Sequence, residues 1–256
     1  MATQAGTLTQ QDHVAREQDK RSQSRRREHV FYIGMAVALV LTVFAGFSRT
    51  FYLRPRFHPE PLIPLLLLHG IVFTAWLALL VTQTTLVAAK RVRTHQLLGI
   101  AGMALAAFMI VIGTITAIVR AKVINVPPSA PPALAFLTIP LGDMLMFGIL
   151  VGSAFYFRRR VDIHKRLMLL ATIGILPAAI ARLPFAFIQQ TGPLAFFGLA
   201  DLFIVPCLIF DLITRGRPHR ATVIGGALIV ISQPLRLLIG TTHAWLAFAA
   251  WLTQWT

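Results

Sequence analysis

The sequence predicts an all-α integral membrane protein with seven transmembrane helices, and three observations support this prediction. Of the 256 residues, 56% are hydrophobic and only 13% are charged, and the mean hydropathy is +0.71. Apolar runs of about 18 or more residues recur along the chain, which is the signature of helices long enough to cross a bilayer. The Lys and Arg residues lie mostly at the ends of these runs, where membrane proteins carry them.

The predicted spans share an apolar composition and end at charged or proline-rich segments. In chain order they cover about residues 30–48, 62–89, 97–119, 133–157, 167–188, 194–214 and 221–240. Residues 1–29 are polar, with no apolar segment and no cleavage site, which predicts a flexible cytoplasmic tail rather than a signal peptide. Residues 241–256 are too short to span comfortably, and their three tryptophans suit an interfacial helix. The transmembrane domain is therefore residues 30–240, with spans two to five as its expected four-helix core.

The distribution of basic residues predicts the orientation. With the N-terminus inside, 17 of the 24 Lys and Arg residues fall in cytoplasmic segments and 5 in outside loops, while Arg182 and Arg236 lie within spans. The positive-inside rule then places the N-terminus in the cytoplasm and the C-terminus outside, in a membrane of the bacterial inner-membrane type. This placement accounts for the net charge of +15 without nucleic acid, so the lipid bilayer is the expected partner.

The second span carries a polar stripe. His69, Trp76, Gln83 and Lys90 are each seven residues after the last, which is almost two helical turns, so they share one slowly drifting face. From His69 to Gln83 is about 21 Å along a helix axis. Because lipid penalises each polar group that it meets, a stripe of this length indicates contacts with polar groups on other helices.

Polar residues are predicted at two depths of the bundle. We predict a polar chamber in the outer half. Its lining residues are His69, Asp143, Arg182, Asp201 and Arg236, together with Gln83. We expect the two acids and two arginines to pair, since an unpaired charge there costs several kcal/mol. Two readings stay open, a salt-bridge network that pins helices, or a chamber that binds a small polar or anionic ligand or passes protons. Near the inner end, Asp211 is expected to pair with Arg215, four residues on.

Histidines at the inner depth suggest a cofactor. His95 opens the third span and His164 precedes the fifth, so both lie at the depth where facing helices could supply axial ligands to a b-type haem. The alternative is that both are interfacial residues that bind headgroups or cap helices. His69 has no histidine at its own depth, and Met144 or Met146 could serve as its partner. Small residues follow His95 along the third span, at Gly99, Gly102, Ala106 and Gly113, and would let a backbone or a flat cofactor approach.

Three short motifs carry a resemblance to known proteins. LHGIVFTAW with a later Gln at 68–83, RTHQLLG at 93–99, and HKRLMLLAT at 164–172 with ARLP at 181–184 resemble a poorly characterised family of bacterial multi-span membrane proteins. Spans two to five also resemble the four-helix unit of di-haem cytochrome b proteins, in which alternate helices supply ligand pairs. This chain has Gln96 where that bacterial family's motif has Arg, and it lacks a fourth core histidine. The resemblance therefore implies at most one haem, on His95 and His164.

Three functional hypotheses follow from the sequence. The first is a membrane oxidoreductase or redox-assembly component that carries a b-type haem, with His69 and Gln83 lining a second site for a quinone or for protons. The second, from another class, is a transporter or small-ligand binding protein that uses the polar chamber. The third is an assembly protein with no chemistry of its own. The sequence has no H-E-x-x-H, glycine-rich phosphate loop or paired-cysteine motif.

Overall fold

The computed structural model describes residues 2–58, 60–123 and 133–254, and these residues form helices with no strand among them. A π-helical turn, Ser48–Tyr52, follows the first helix. The α-helices, in chain order, are α1 (Ala2–Phe47), α2 (Arg54–Phe57), α3 (Pro64–Ala88), α4 (Val92–Val123), α5 (Ala133–Phe136), α6 (Thr138–Tyr156), α7 (Val161–Gly174), α8 (Pro177–Ile180), α9 (Ala186–Thr191), α10 (Pro193–Asp201), α11 (Ile204–Arg215), α12 (Arg220–Gly240) and α13 (His243–Gln254).

Seven helical segments in the described residues are long and apolar enough to cross a membrane, which confirms the predicted multi-pass architecture. They are Ser22–Tyr52, Pro64–Ala88, Val92–Ala121, Ala133–Tyr156, Val161–Ile180, Pro193–Arg215 and Arg220–Gly240. The fifth segment differs from its prediction, because it begins at Val161 and ends at Ile180 instead of covering 167–188. His164 therefore lies in the first turn of α7 and not before it. At the far end, Pro177 begins α8, since proline cannot donate the backbone hydrogen bond that would continue α7.

The predicted four-helix core is formed by α3, α4, α6 and α7. Helix α4 packs against α3 and α6, and α6 packs against α7. The ring closes at Trp76 of α3, which is 2% exposed and donates a hydrogen bond from Nε1 to Oγ1 of Thr172 on α7 at 3.1 Å. The same indole makes an edge contact with Phe147 of α6, with ring centroids 5.0 Å apart. In this order α4 and α7 face each other across one diagonal of the core.

The remaining long helices pack around this core. Helix α1 contacts α3 and α8, and it runs from Ala2 without a break through the segment predicted as a tail. The contact between α1 and α8 is backbone to backbone, because a Cβ on Gly46 would lie 2.1 Å from the carbonyl oxygen of Ala179. Helix α12 packs against α6 and α7, and α13 packs against α4 and α5. The predicted C-terminal helix is thus present as α13.

The two ends of the bundle each contain a half-buried histidine, His95 or His69. The His95 end contains the first turns of α4 and α7 and the last turns of α3 and α6. The His69 end contains the first turns of α3, the last turns of α4, and α8. Consecutive core helices run in opposite directions, so each end receives side chains from several spans. At both ends some buried polar atoms have no hydrogen-bond partner among the described residues.

Candidate functional site

The His95 end brings together the two histidines predicted as haem ligands. The imidazole rings of His95 and His164 have centroids 6.4 Å apart and planes inclined at 82°. Nδ1 of His164 lies 2.9 Å from the carbonyl oxygen of Ala154, at the end of α6. A backbone carbonyl in this position fixes the ring orientation and leaves Nε2 as the nitrogen for a ligand, which is the usual arrangement behind a metal-bound histidine.

Gln83 joins the same group through the backbone of α4. Its side-chain Nε2 donates a hydrogen bond to the carbonyl oxygen of His95 at 3.2 Å. Two buried polar atoms at this point have no protein partner, the Oε1 of Gln83 and the Nδ1 of His95. A buried polar atom without a partner costs about 1–3 kcal/mol. The His95 end is therefore suited to a polar group or cofactor that the protein itself does not supply.

Helix α3 packs against the small residues that follow His95 on α4. A Cβ on Gly99 would lie 3.7 Å from Nε2 of Gln83, and a Cβ on Gly102 would lie 2.8 Å from Cδ2 of Leu79. Gly102 lets α3 and α4 approach closely, whereas Gly99 meets Gln83 at an ordinary contact distance. This face of α4 therefore packs against a helix and not against a flat cofactor. In the described residues no three His, Cys, Asp or Glu side chains are grouped to hold a metal ion, so an iron at this end would rely on His95 and His164 alone.

His69 lies at the opposite end of α3 from Gln83, so the structure does not bring these two residues together in one second site. The imidazole of His69 stacks on Phe73, with ring centroids 4.1 Å apart, and its Nδ1 is buried without a hydrogen-bond partner. Met144 and Met146, the alternative partners of His69, are both buried in α6. Met144 packs beside Gly113 of α4, where an added Cβ would lie 2.4 Å from its sulfur.

The acids and arginines of the predicted polar chamber fall into separate contacts. Asp143 of α6 and Arg236 of α12 form a buried ion pair, with Nη1 2.5 Å from Oδ1. Arg236 also donates to Oγ of Ser232 at 2.8 Å. Asp201 accepts a hydrogen bond from Nε2 of Gln233 at 2.8 Å instead of pairing with an arginine. The Asp143–Arg236 contact ties α6 to α12 and neutralises both charges, while Nε of Arg236 stays buried without a hydrogen-bond partner.

Arg182, the remaining charge of the predicted chamber, has no carboxylate partner among the described residues. Its Nη1 donates to the carbonyl oxygen of Ala178 at 2.5 Å. Its guanidinium carbon lies 4.7 Å from the ring centroid of Phe47. The expected pairing of two acids with two arginines therefore holds for one pair only. The two carboxylates of the predicted chamber, Asp143 and Asp201, bind residues of α12, so Arg182 is left with backbone and aromatic contacts.

A buried network at the His95 end was not predicted. Oδ1 of Asp211 on α11 accepts hydrogen bonds from Nε of Arg166 on α7, at 2.9 Å, and from its Nη2. Oδ2 of Asp211 accepts from Oγ1 of Thr222 on α12 at 2.5 Å. The predicted pair of Asp211 with Arg215 is wrong, and Arg215 instead lies 3.7 Å from Asp162. Local spacing suggested the nearer arginine, whereas the fold brings Arg166 from 45 residues away.

His219 completes this network at the start of α12. Its imidazole Nδ1 accepts a hydrogen bond from the backbone N–H of Ala221 at 3.1 Å, and so caps the helix. Its own backbone N–H donates to Oδ2 of Asp211 at 3.2 Å. Burial, and next the positive charges of Arg166 and Arg215, lower the pKa of His219 below its ordinary value. A neutral imidazole suits this role, since a protonated Nδ1 cannot accept the capping bond.

No family model matches the chain, and no curated protein or solved structure matches it.

Proposed function

We propose that the protein is a membrane oxidoreductase or redox-assembly component that holds one b-type haem between His95 and His164. The observation that carries the proposal is the 6.4 Å separation of the two ring centroids. Two metal–imidazole bonds of about 2.0 Å, with about 1 Å from each nitrogen to its ring centre, require a separation of about 6 Å. Inclined ring planes are compatible with this, because each axial ring can rotate about its own bond to the metal.

Three further features support the same site. His95 and His164 come from α4 and α7, which are not neighbours in the ring of core helices, so each imidazole would approach an iron from its own helix. The carbonyl of Ala154 orients His164 with Nε2 available. The buried Nδ1 of His95 and Oε1 of Gln83 have no protein partner. A water molecule could donate to Oε1, and a haem propionate could accept from a protonated Nδ1. Haem supplies one-electron chemistry, and the partner that exchanges electrons would be a membrane quinone or a redox protein.

The proposal includes an orientation. The tail and the loops at the His95 end carry 17 Lys and Arg residues against 5 in the loops at the other end. Under the positive-inside rule the His95 end faces the cytoplasm of a bacterial cell, with the N-terminus inside and the C-terminus outside. The haem would then lie near the cytoplasmic surface of the inner membrane.

The test is a pyridine haemochrome and visible spectrum of the detergent-purified protein, produced with a haem precursor supplied during expression. We expect a Soret band and about one haem b per chain. His95→Ala and His164→Ala should each remove most of the bound haem, whereas His243→Ala, an exposed histidine of α13, should retain it. Wild-type protein that folds normally and contains no haem would exclude the proposal.

A further inference from the structure

The His69 end contains a group of polar side chains that neither the haem proposal nor the ion pairs explain. Two of their atoms are buried without any hydrogen-bond partner, the Nδ1 of His69 and the Oγ1 of Thr116. Thr116 is only 7% exposed. A threonine inside a membrane helix ordinarily satisfies its hydroxyl on the carbonyl one turn earlier, as Thr74 does with Gly70 at 2.6 Å. Its failure to do so marks Thr116 as unusual.

The contacts between α3 and α4 bring these two residues to the same level. The helices are antiparallel, and an added Cβ on Gly113 would lie 3.3 Å from Cζ of Phe73. His69 lies one turn before Phe73, and Thr116 lies one turn after Gly113 on the same face of α4. Arg120 extends that face by one more turn towards the end of α4. The register therefore lines up His69, Thr116 and Arg120 along the contact between the two helices.

Arg182 approaches the same place from the segment after α8. Its guanidinium carbon lies 4.7 Å from the ring centroid of Phe47. Phe51, one turn after Phe47, lies against Gly70, the chain neighbour of His69, since an added Cβ on Gly70 would be 2.1 Å from Cε2 of Phe51. The contacts of Arg182 with the carbonyl of Ala178 and the ring of Phe47 leave further guanidinium N–H groups unused. Among the described residues, no carboxylate forms an ion pair with Arg120 or Arg182. Arg120 and Arg182 therefore lie at the same end of the bundle without an acid, and an external anion would stabilise both positive charges.

We propose that His69, Thr116, Arg120 and Arg182 form a binding site for a phosphate oxyanion at the His69 end. The two guanidinium groups supply charge and paired N–H donors, which is the recognition that phosphate favours. The Thr116 hydroxyl and the imidazole of His69 supply uncharged donors from the buried side. The phosphate belongs either to the headgroup of an anionic lipid or to free phosphate, since both present the same oxygens. This site is independent of haem at the opposite end.

The test is a thermal-unfolding titration of the purified, detergent-solubilised protein, followed by tryptophan fluorescence. The titrants are inorganic phosphate, and phosphatidylglycerol against phosphatidylcholine in mixed micelles. We expect the midpoint to rise with phosphatidylglycerol but not phosphatidylcholine if a lipid occupies the site, and with inorganic phosphate if the ligand is free. In Arg120→Gln and Arg182→Gln the apparent Kd for that titrant should increase at least tenfold.

Two further variants make the outcome decisive. Thr116→Val preserves the shape of the side chain and removes only the hydroxyl, so it should weaken binding several-fold without unfolding the helix. Arg217→Gln removes an exposed arginine from the loop at the other end, and should leave the apparent Kd unchanged. The proposal is overturned if wild-type protein responds to neither anion, or if Arg217→Gln weakens binding as much as Arg182→Gln does.

Discussion

Individual buried polar residues in this protein differ in whether the chain itself satisfies them. Asp211 receives hydrogen bonds on both carboxylate oxygens, and Asp143 is engaged by Arg236. The imidazoles of His95 and His69, in contrast, each keep a buried Nδ1 without a partner. The first kind of residue holds helices together, and the second kind provides binding capacity. The proposals for haem and for phosphate rest on this difference.

The buried ion pair of Asp211 with Arg166 should stabilise the fold, and substitutions can test this. Removing one partner leaves a buried charge, so Asp211→Asn or Arg166→Met should each destabilise the protein by about 3–5 kcal/mol. The double variant Asp211→Asn with Arg166→Met removes both charges and should recover most of that loss. The measurement is thermal unfolding in detergent for the four proteins. A double variant as unstable as the sum of the singles would show that the two residues act separately.

His219 should make stability depend on pH in a defined direction. Its pKa in the folded protein lies below its ordinary value, so the unfolded chain takes up the proton first as pH falls. The contribution of His219 is therefore complete above its ordinary pKa of about 6.5 and is lost as pH falls below it. His219→Asn keeps a capping side chain that does not titrate. Between pH 7.5 and about 5.5 the unfolding midpoint of this variant should fall less than that of wild type.

At the scale of helices, the close contact of α1 with α8 depends on Gly46. Since an added Cβ would meet the backbone carbonyl of Ala179, Gly46→Ala should push the helices apart and destabilise the protein by about 1–3 kcal/mol. Gly34 lies on the same helix with no atom within 4 Å of an added Cβ. Gly34→Ala is the matched control and should be neutral or slightly stabilising in thermal unfolding. Equal losses in the two variants would contradict the packing argument.

The membrane-spanning helices were predictable from the sequence because one physical requirement, a long apolar stretch, determines them. A bilayer-spanning helix must be long and apolar, so all seven spans could be read from composition. Their ends were less predictable, because α7 begins at Val161 within a charged segment and stops before Pro177. The partner of Asp211 could not be read at all from local spacing. Pairs such as Lys165 with Glu28, 137 residues apart and 2.9 Å between Nζ and Oε2, depend on how whole helices pack.

For the whole molecule, the structure describes a bundle with a satisfied apolar middle and two polar ends. The sequence placed the histidines at these two depths from helix lengths alone. Helix lengths could not show that the ring centroids of His95 and His164 lie 6.4 Å apart. They also could not show that Asp201 binds Gln233 and not Arg182, or that the hydroxyl of Thr116 has no hydrogen-bond partner. Each of these depends on helix rotation and register. The two ends could then serve separate purposes, redox chemistry at one and anion binding at the other.

The central claim is that His95 and His164 both ligate one haem iron. Electron paramagnetic resonance of the oxidised, purified protein tests it most directly, since two imidazole ligands give a low-spin ferric haem. We predict a low-spin signal with about one spin per chain, which is lost or becomes high-spin in both His95→Ala and His164→Ala and is unchanged in His243→Ala. Folded wild-type protein without haem, or a low-spin signal that survives in either of the two ligand variants, would contradict the claim.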